Sequence, residues 1–216
     1  YRHKEKRKEK INMVDKFCNY IVKKIRNKMP EIDNERAEVI KYGLELIIGE
    51  IPKIFLLFII GFLLGIGKLT LFAFLIILPY RALTGGFHLK THLGCIICTN
   101  LFYCGNVMLS KYIVFDPIII KYIAIALIWI FSMMMINIYA PADTENLPIL
   151  SSKERKIKKR LSYIIATIEL VMAIFIPNSV IANIIIFGIL LQTLSITRIA
   201  YRLTNNKYGY EVYMQN

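Results

Sequence analysis

Residues 122–140 read YIAIALIWIFSMMMINIYA, nineteen consecutive positions without a charged side chain. A second run, SVIANIIIFGILLQTLSIT at 179–197, is equally free of charge. A stretch of about 18 or more such residues spans the hydrocarbon layer as a helix, which satisfies its backbone hydrogen bonds within one segment. The runs therefore point to an all-α, polytopic membrane protein. Six transmembrane helices are expected, at about 42–66, 69–87, 94–111, 117–139, 161–177 and 180–200. A basic, partly helical segment (1–41) precedes this 42–200 membrane domain, and a tail (201–216) follows it. Two connections, 80–95 and 140–160, carry the residues with chemistry in them.

The net charge of +13 would suggest nucleic acid in a soluble protein. In a membrane protein it more simply marks the loops on the cytoplasmic side, so nucleic acid is not an expected partner. With six spans, every Lys and Arg except Lys53, Lys68, Lys111 and Lys121 falls on one side. Both termini are then cytoplasmic. The charged N-terminus shows no cleavable signal peptide, and Met13 is a candidate natural start. The four cysteines, Cys18, Cys95, Cys98 and Cys104, form no disulfide framework, and Cys98 and Cys104 read as small apolar filler within a helix.

Between the second and third spans lies YRALTGGFHLKTHLGCIICTN, residues 80–100. Two chemistries fit it. A cysteine nucleophile needs a base or cation to hold it as thiolate, and His88 with Cys95 supplies the pair. The spacing of His88, His92, Cys95 and Cys98 also suits zinc, which makes a metal-binding membrane protein or transporter the rival reading. A non-enzymatic export or scaffold protein is a third. Geometry constrains the first two. On a straight helix, His88 and Cys95 would stand about 10.5 Å apart along the axis, too far to interact. A His88–Cys95 dyad therefore requires a break. Gly85, Gly86 and Gly94 weaken helix on either side of His88, and Thr91 can cap a new helix. Cys95 would then sit in the first turn, where the helix dipole favours a thiolate. His92 lies one turn from Cys95 and is either a second candidate base or a solvated loop residue. Arg81 is either a membrane-side anchor or a contact for a substrate carboxylate or oxyanion.

The pattern R-x3-G-G-x-H-x6-C, formed by Arg81, Gly85, Gly86, His88 and Cys95, resembles the accessory gene regulator protein B (AgrB) family. A second segment, YAPADTENLPI at 139–149, resembles that family's Tyr-Ala-Pro-Ala stretch and precedes a basic run at 153–160, as in the family. The likeness covers the chain from about Met13 onward. It implies a membrane-embedded cysteine endopeptidase in the plasma membrane of a Gram-positive bacterium, with its active site on the cytoplasmic side and no cofactor. The implied substrate is a short AgrD-like propeptide that becomes a cyclic quorum-sensing autoinducer. The implied catalytic residues are Cys95 as nucleophile and His88 as general base, with Arg81, Gly85 and Gly86 in support. A homodimer is also implied. No residue is marked as the third member that orients His88; Asn100, Asp143 and Glu45 are candidates.

The first span is impure, with Glu45, Glu50, Pro52 and Lys53 near its start. Glu50 and Lys53 can pair across three residues. Glu45 and Glu50 either line a cavity that receives the propeptide or belong to an amphipathic helix at the headgroups, bent at Pro52. The connection 140–160 begins acidic and turns basic, and its basic part suits anionic lipid headgroups or an acidic propeptide tail.

Overall fold

The computed structural model describes residues 13–29, 31–89, 91–145 and 148–215, without the side chains of residues 13–15, 35, 39, 42, 45–47, 92 and 215. The described residues are helical apart from their connections, in two compact units, 1–56 and 57–216.

In the first unit, α1 (Met13–Lys28) is followed by the start of α2 (Asn34–Leu63). Asp33 caps α2, its Oδ1 accepting from the Arg36 backbone N–H at 2.8 Å. The first span was expected to begin near residue 42. Instead α2 starts eight residues earlier and runs unbroken through Pro52. Glu50 and Lys53 form the anticipated pair at 2.6 Å. The Glu45 side chain lies outside the described residues.

The second unit holds α3 (Gly67–Thr84), α4 (His92–Tyr112), α5 (Ile118–Tyr139), α6 (Ser152–Phe175), α7 (Ser179–Ser195), α8 (Arg198–Leu203) and α9 (Gly209–Gln215). Among the described residues, three helices are long and apolar enough to cross a membrane: α3, α4 from Leu93 onward, and α5. The apolar α7 has 17 residues.

Helix α7 is the centre of this unit and packs against α3, α4, α5, α6 and α8. Its residues 182–186 are buried consecutively, so it is enclosed on all sides rather than along one stripe. α3 turns Gly67, Thr70, Ala73, Ile77, Tyr80 and Thr84 inward at helical spacing. Polar side chains bind the helices together. Asn106 of α4 donates to the Ile184 carbonyl at 3.0 Å, and Asn183 of α7 donates to the Ile113 carbonyl at 2.7 Å and the Ser110 carbonyl at 3.3 Å. The hydroxyls of Tyr80 and Ser132 each lie 2.9 Å from that of Thr193. Glu169 of α6 is also buried, and its Oε2 has no hydrogen-bond partner among the described residues.

The basic run at 153–160, expected in a loop, forms the first turns of α6. Ser151 caps that helix by accepting from the Glu154 backbone N–H at 3.3 Å.

Candidate functional site

The chain breaks where the His88–Cys95 reading needs it to. α3 stops at Thr84, and Gly85 and Gly86 follow with φ of 74° and 141°. These angles favour glycine, and a Cβ on Gly85 would also collide with the Ala142 carbonyl oxygen. That close approach makes a two-stranded junction. Gly86 N–H donates to the Ala142 carbonyl at 2.9 Å, and Ala142 N–H donates to the Thr84 carbonyl at 2.7 Å. The two motif segments, 57 residues apart at Gly85 and Ala142, thus run side by side as one parallel bridge.

Gln192 anchors the junction from α7. It is fully buried, and its side-chain amide donates to the Gly85 carbonyl at 2.8 Å and the Thr84 hydroxyl at 2.9 Å. Its Oε1 accepts from Arg81 at 3.0 Å. Arg81 also faces the ring of Phe102 at 5.8 Å. In this state the Arg81 side chain braces α3 against α7 and α4.

His88 lies exposed in the non-helical stretch just beyond the glycines. Thr91 is the cap of α4, its hydroxyl accepting from Gly94 N–H at 3.1 Å. Gly94 was expected to weaken the chain ahead of the helix. It lies within the first turn instead, where a Cβ would press on the Thr91 hydroxyl. Cys95 is in that same first turn, half-buried, with its backbone N–H on the Thr91 carbonyl at 3.0 Å. The side chain of His92 lies outside the described residues.

A cavity of about 610 Å³ opens beside the junction. Gly85, Gly86, His88, Asp143, Ser151 and Glu154 are among the residues that line it, whereas Cys95 is not. Asp143 is buried. Its Oδ2 accepts from the Ile149 backbone N–H at 2.8 Å and from Arg155 at 3.1 Å, while Oδ1 has no hydrogen-bond partner among the described residues. Asn100 donates to the Ile96 carbonyl of its own helix at 2.9 Å, and its buried Oδ1 has no hydrogen-bond partner among the described residues. Glu50 belongs to the first unit, paired with Lys53.

The tail completes the surroundings. The Tyr201 hydroxyl donates to the carbonyls of Ala142 and Asp143 at 2.9 and 3.0 Å. The Tyr208 ring stacks on that of Tyr201 at 4.2 Å, and the Arg155 guanidinium lies 4.4 Å from the Tyr210 ring. Burial pushes the phenol pKa of Tyr201 and of Tyr208 well above the ordinary tyrosine value, which keeps both as hydrogen-bond donors. Sequence reading passed over Gln192, Tyr201, Asn206 and Glu169. Two of them carried a signal: Gln192 interrupts an apolar run, and Glu169 is an ionisable residue inside an expected span.

These features define a helical membrane protein with a polar candidate site where the Gly85 and Ala142 segments meet. The description "Accessory gene regulator B" matches residues 15–196, and the chain belongs to that family. It is 29% identical to an AgrB-like protein of Listeria monocytogenes serovar 1/2a, over 94% of this chain and 97% of the relative. It is 25% identical to an AgrB-like protein of Clostridium acetobutylicum, over 93% of each. No solved structure matches it.

Proposed function

We propose that this protein is a membrane-embedded cysteine endopeptidase that processes an AgrD-like propeptide into a cyclic quorum-sensing peptide. The observation that carries the reading is the helix break between the end of α3 at Thr84 and the start of α4 at His92. It frees His88 from the helix and sets Cys95 in the first turn of α4. Membership of the AgrB family supports it.

In this mechanism His88 takes the Cys95 thiol proton. Sγ attacks the carbonyl carbon that joins the pheromone portion to the C-terminal tail of the propeptide. The C–N bond breaks, and the proton from His88 goes to the departing amine. An acyl-thioester with Cys95 remains. The thiol or hydroxyl of a Cys or Ser within the pheromone portion then attacks that thioester carbonyl. Its proton returns to the Cys95 sulfur as the bond to Cys95 breaks, and the ring closes as a thiolactone or lactone. Limiting water around the thioester favours closure over hydrolysis.

The topology proposed with this activity has six spans, formed by the latter part of α2 and by α3, α4, α5, α6 and α7. The excess of basic residues supports an orientation with both termini, and the site with them, on the cytoplasmic side of the plasma membrane. A homodimer is part of the same proposal.

The test uses protein in liposomes with a synthetic propeptide. Wild type and Cys95→Ser are both expected to fold and to bind no stoichiometric zinc, and Cys95→Ser is expected to abolish cleavage. His88→Ala should lower cleavage by roughly 10²–10⁴-fold, the range for loss of a general base. Retained cleavage in Cys95→Ser would overturn the reading.

A further inference from the structure

We propose that residues 201–211 form a strap that positions the loop carrying His88, with Asn206 and Tyr201 as its positioning residues. The proposal rests on the His88–Cys95 reading above and extends it to a segment beyond residue 196, where the family match ends.

The strap grips both halves of the junction through their backbones. The Asn206 side-chain amide donates to the His88 carbonyl at 2.8 Å. Asn206 is itself held. Its backbone N–H donates to the Tyr201 carbonyl at 2.8 Å, and its amide also reaches the Thr204 hydroxyl at 2.9 Å. Asn205 adopts φ of 53°, a conformation asparagine tolerates better than most residues, and this turns the chain back toward the loop. On the other half, Tyr201 holds the carbonyls of Ala142 and Asp143. The Ala142 carbonyl is the same one that receives the Gly86 N–H, so Tyr201 and the His88 loop meet at one oxygen.

Three further contacts fix the strap to its surroundings. The Tyr208 hydroxyl donates to the Ile196 carbonyl at 2.8 Å. A Cβ on Gly209 would collide with the Thr144 carbonyl, so the chain passes there with no room for a side chain. Arg198 and Glu211 pair at 2.8 Å. A tail serving only to cover apolar surface has no need of polar bonds to the His88 and Ala142 carbonyls. These bonds fix where the His88 main chain stands, and so the point from which its imidazole would have to reach Cys95 in the proposed dyad. Neither Asn206 nor Tyr201 is assigned contact with the substrate.

Asn206→Asp keeps the shape and removes the donor. Tyr201→Phe keeps the ring stack and removes the hydroxyl. For each, kcat for propeptide cleavage should fall roughly 10–100-fold with KM unchanged, since small misplacements of catalytic groups cost that much. The second readout is alkylation of Cys95 by iodoacetamide, followed by mass spectrometry as a function of pH. In Asn206→Asp the profile should move toward that of His88→Ala, which loss of overall stability alone would not produce. Wild-type kcat and an unchanged alkylation profile in both variants would overturn the strap, as would a rise in KM with kcat intact. If His88→Ala and wild type alkylate alike, the His88–Cys95 reading fails and the strap's role fails with it. If those two differ while Asn206→Asp follows the wild type, the strap alone fails.

Discussion

Helices α5 and α7 look alike as sequence and differ as structure. Each is a run of Ile, Leu and other apolar residues without acidic side chains. Yet α5 leaves Ile119, Ile123, Leu127, Ile130, Met134 and Ile138 exposed, whereas α7 buries Ile184, Ile185, Ile186 and Ile189 completely. The difference lies in the minority residues. In a bilayer apolar surface gains little by leaving lipid, so association depends on close packing and on polar bonds between helices. α7 carries Asn183, Gly188, Gln192, Thr193 and Ser195, all buried, and its polar side chains reach carbonyls and hydroxyls of neighbouring segments. Inward-facing polar residues on α5 are Lys121 and Ser132. Hydrophobicity thus marks a helix as belonging in the membrane, and its few polar and small residues mark it as central or peripheral.

The contrast should break most visibly at Gln192. Gln192→Leu leaves Arg81, the Thr84 hydroxyl and the Gly85 carbonyl without their partner. Stability, followed by thermal unfolding in detergent, should drop by about 2–4 kcal/mol, because each abandoned buried group carries its own desolvation cost. Cleavage should fall with it, since the glycine junction loses its anchor. Asn183→Ala is the next step down. It releases the carbonyls of Ser110 and Ile113 far from the site, and about 1–2 kcal/mol of stability should go while cleavage per folded molecule stays at the wild-type level. On α5, Leu127→Ala removes an exposed side chain and should shift stability by less than about 0.5 kcal/mol. A Leu127→Ala effect as large as that of Asn183→Ala would erase the distinction between the two helices.

The break that opens the site was legible because its signals are local. Gly85 and Gly86 end a helix, Thr91 begins the next, and the structure uses all three so. The start of α6 had a local signal as well, Ser151 followed by Glu154 three residues on, but a basic run suggested a loop. α2 begins earlier than expected because hydropathy marks where a helix can enter lipid, whereas the Asp33 cap marks where helix begins. The pairing of Gly85 with Ala142, and the grip of Tyr201 and Asn206, left no such mark. They depend on tertiary contacts between segments far apart in the chain, and neither a tyrosine nor an asparagine in a polar tail announces its partner. The residues alone offered Cys95 and His88 as one of two chemistries, the resemblance singled them out as nucleophile and base, and the residues that position the loop came from the fold.

The hydrogen bond from Asn206 to His88 joins residues 118 apart, with the donor the later of the two. It therefore has a consequence in time. At roughly 5–20 residues per second of synthesis, the His88 loop waits roughly 6–24 s after translation before its holder has been made. The helices that flank the loop can enter the membrane during that interval while its last fastening is still missing. The loop is thus fastened only once Asn206 has been made, and a chain that stops short of it holds the loop without the bond that fixes it.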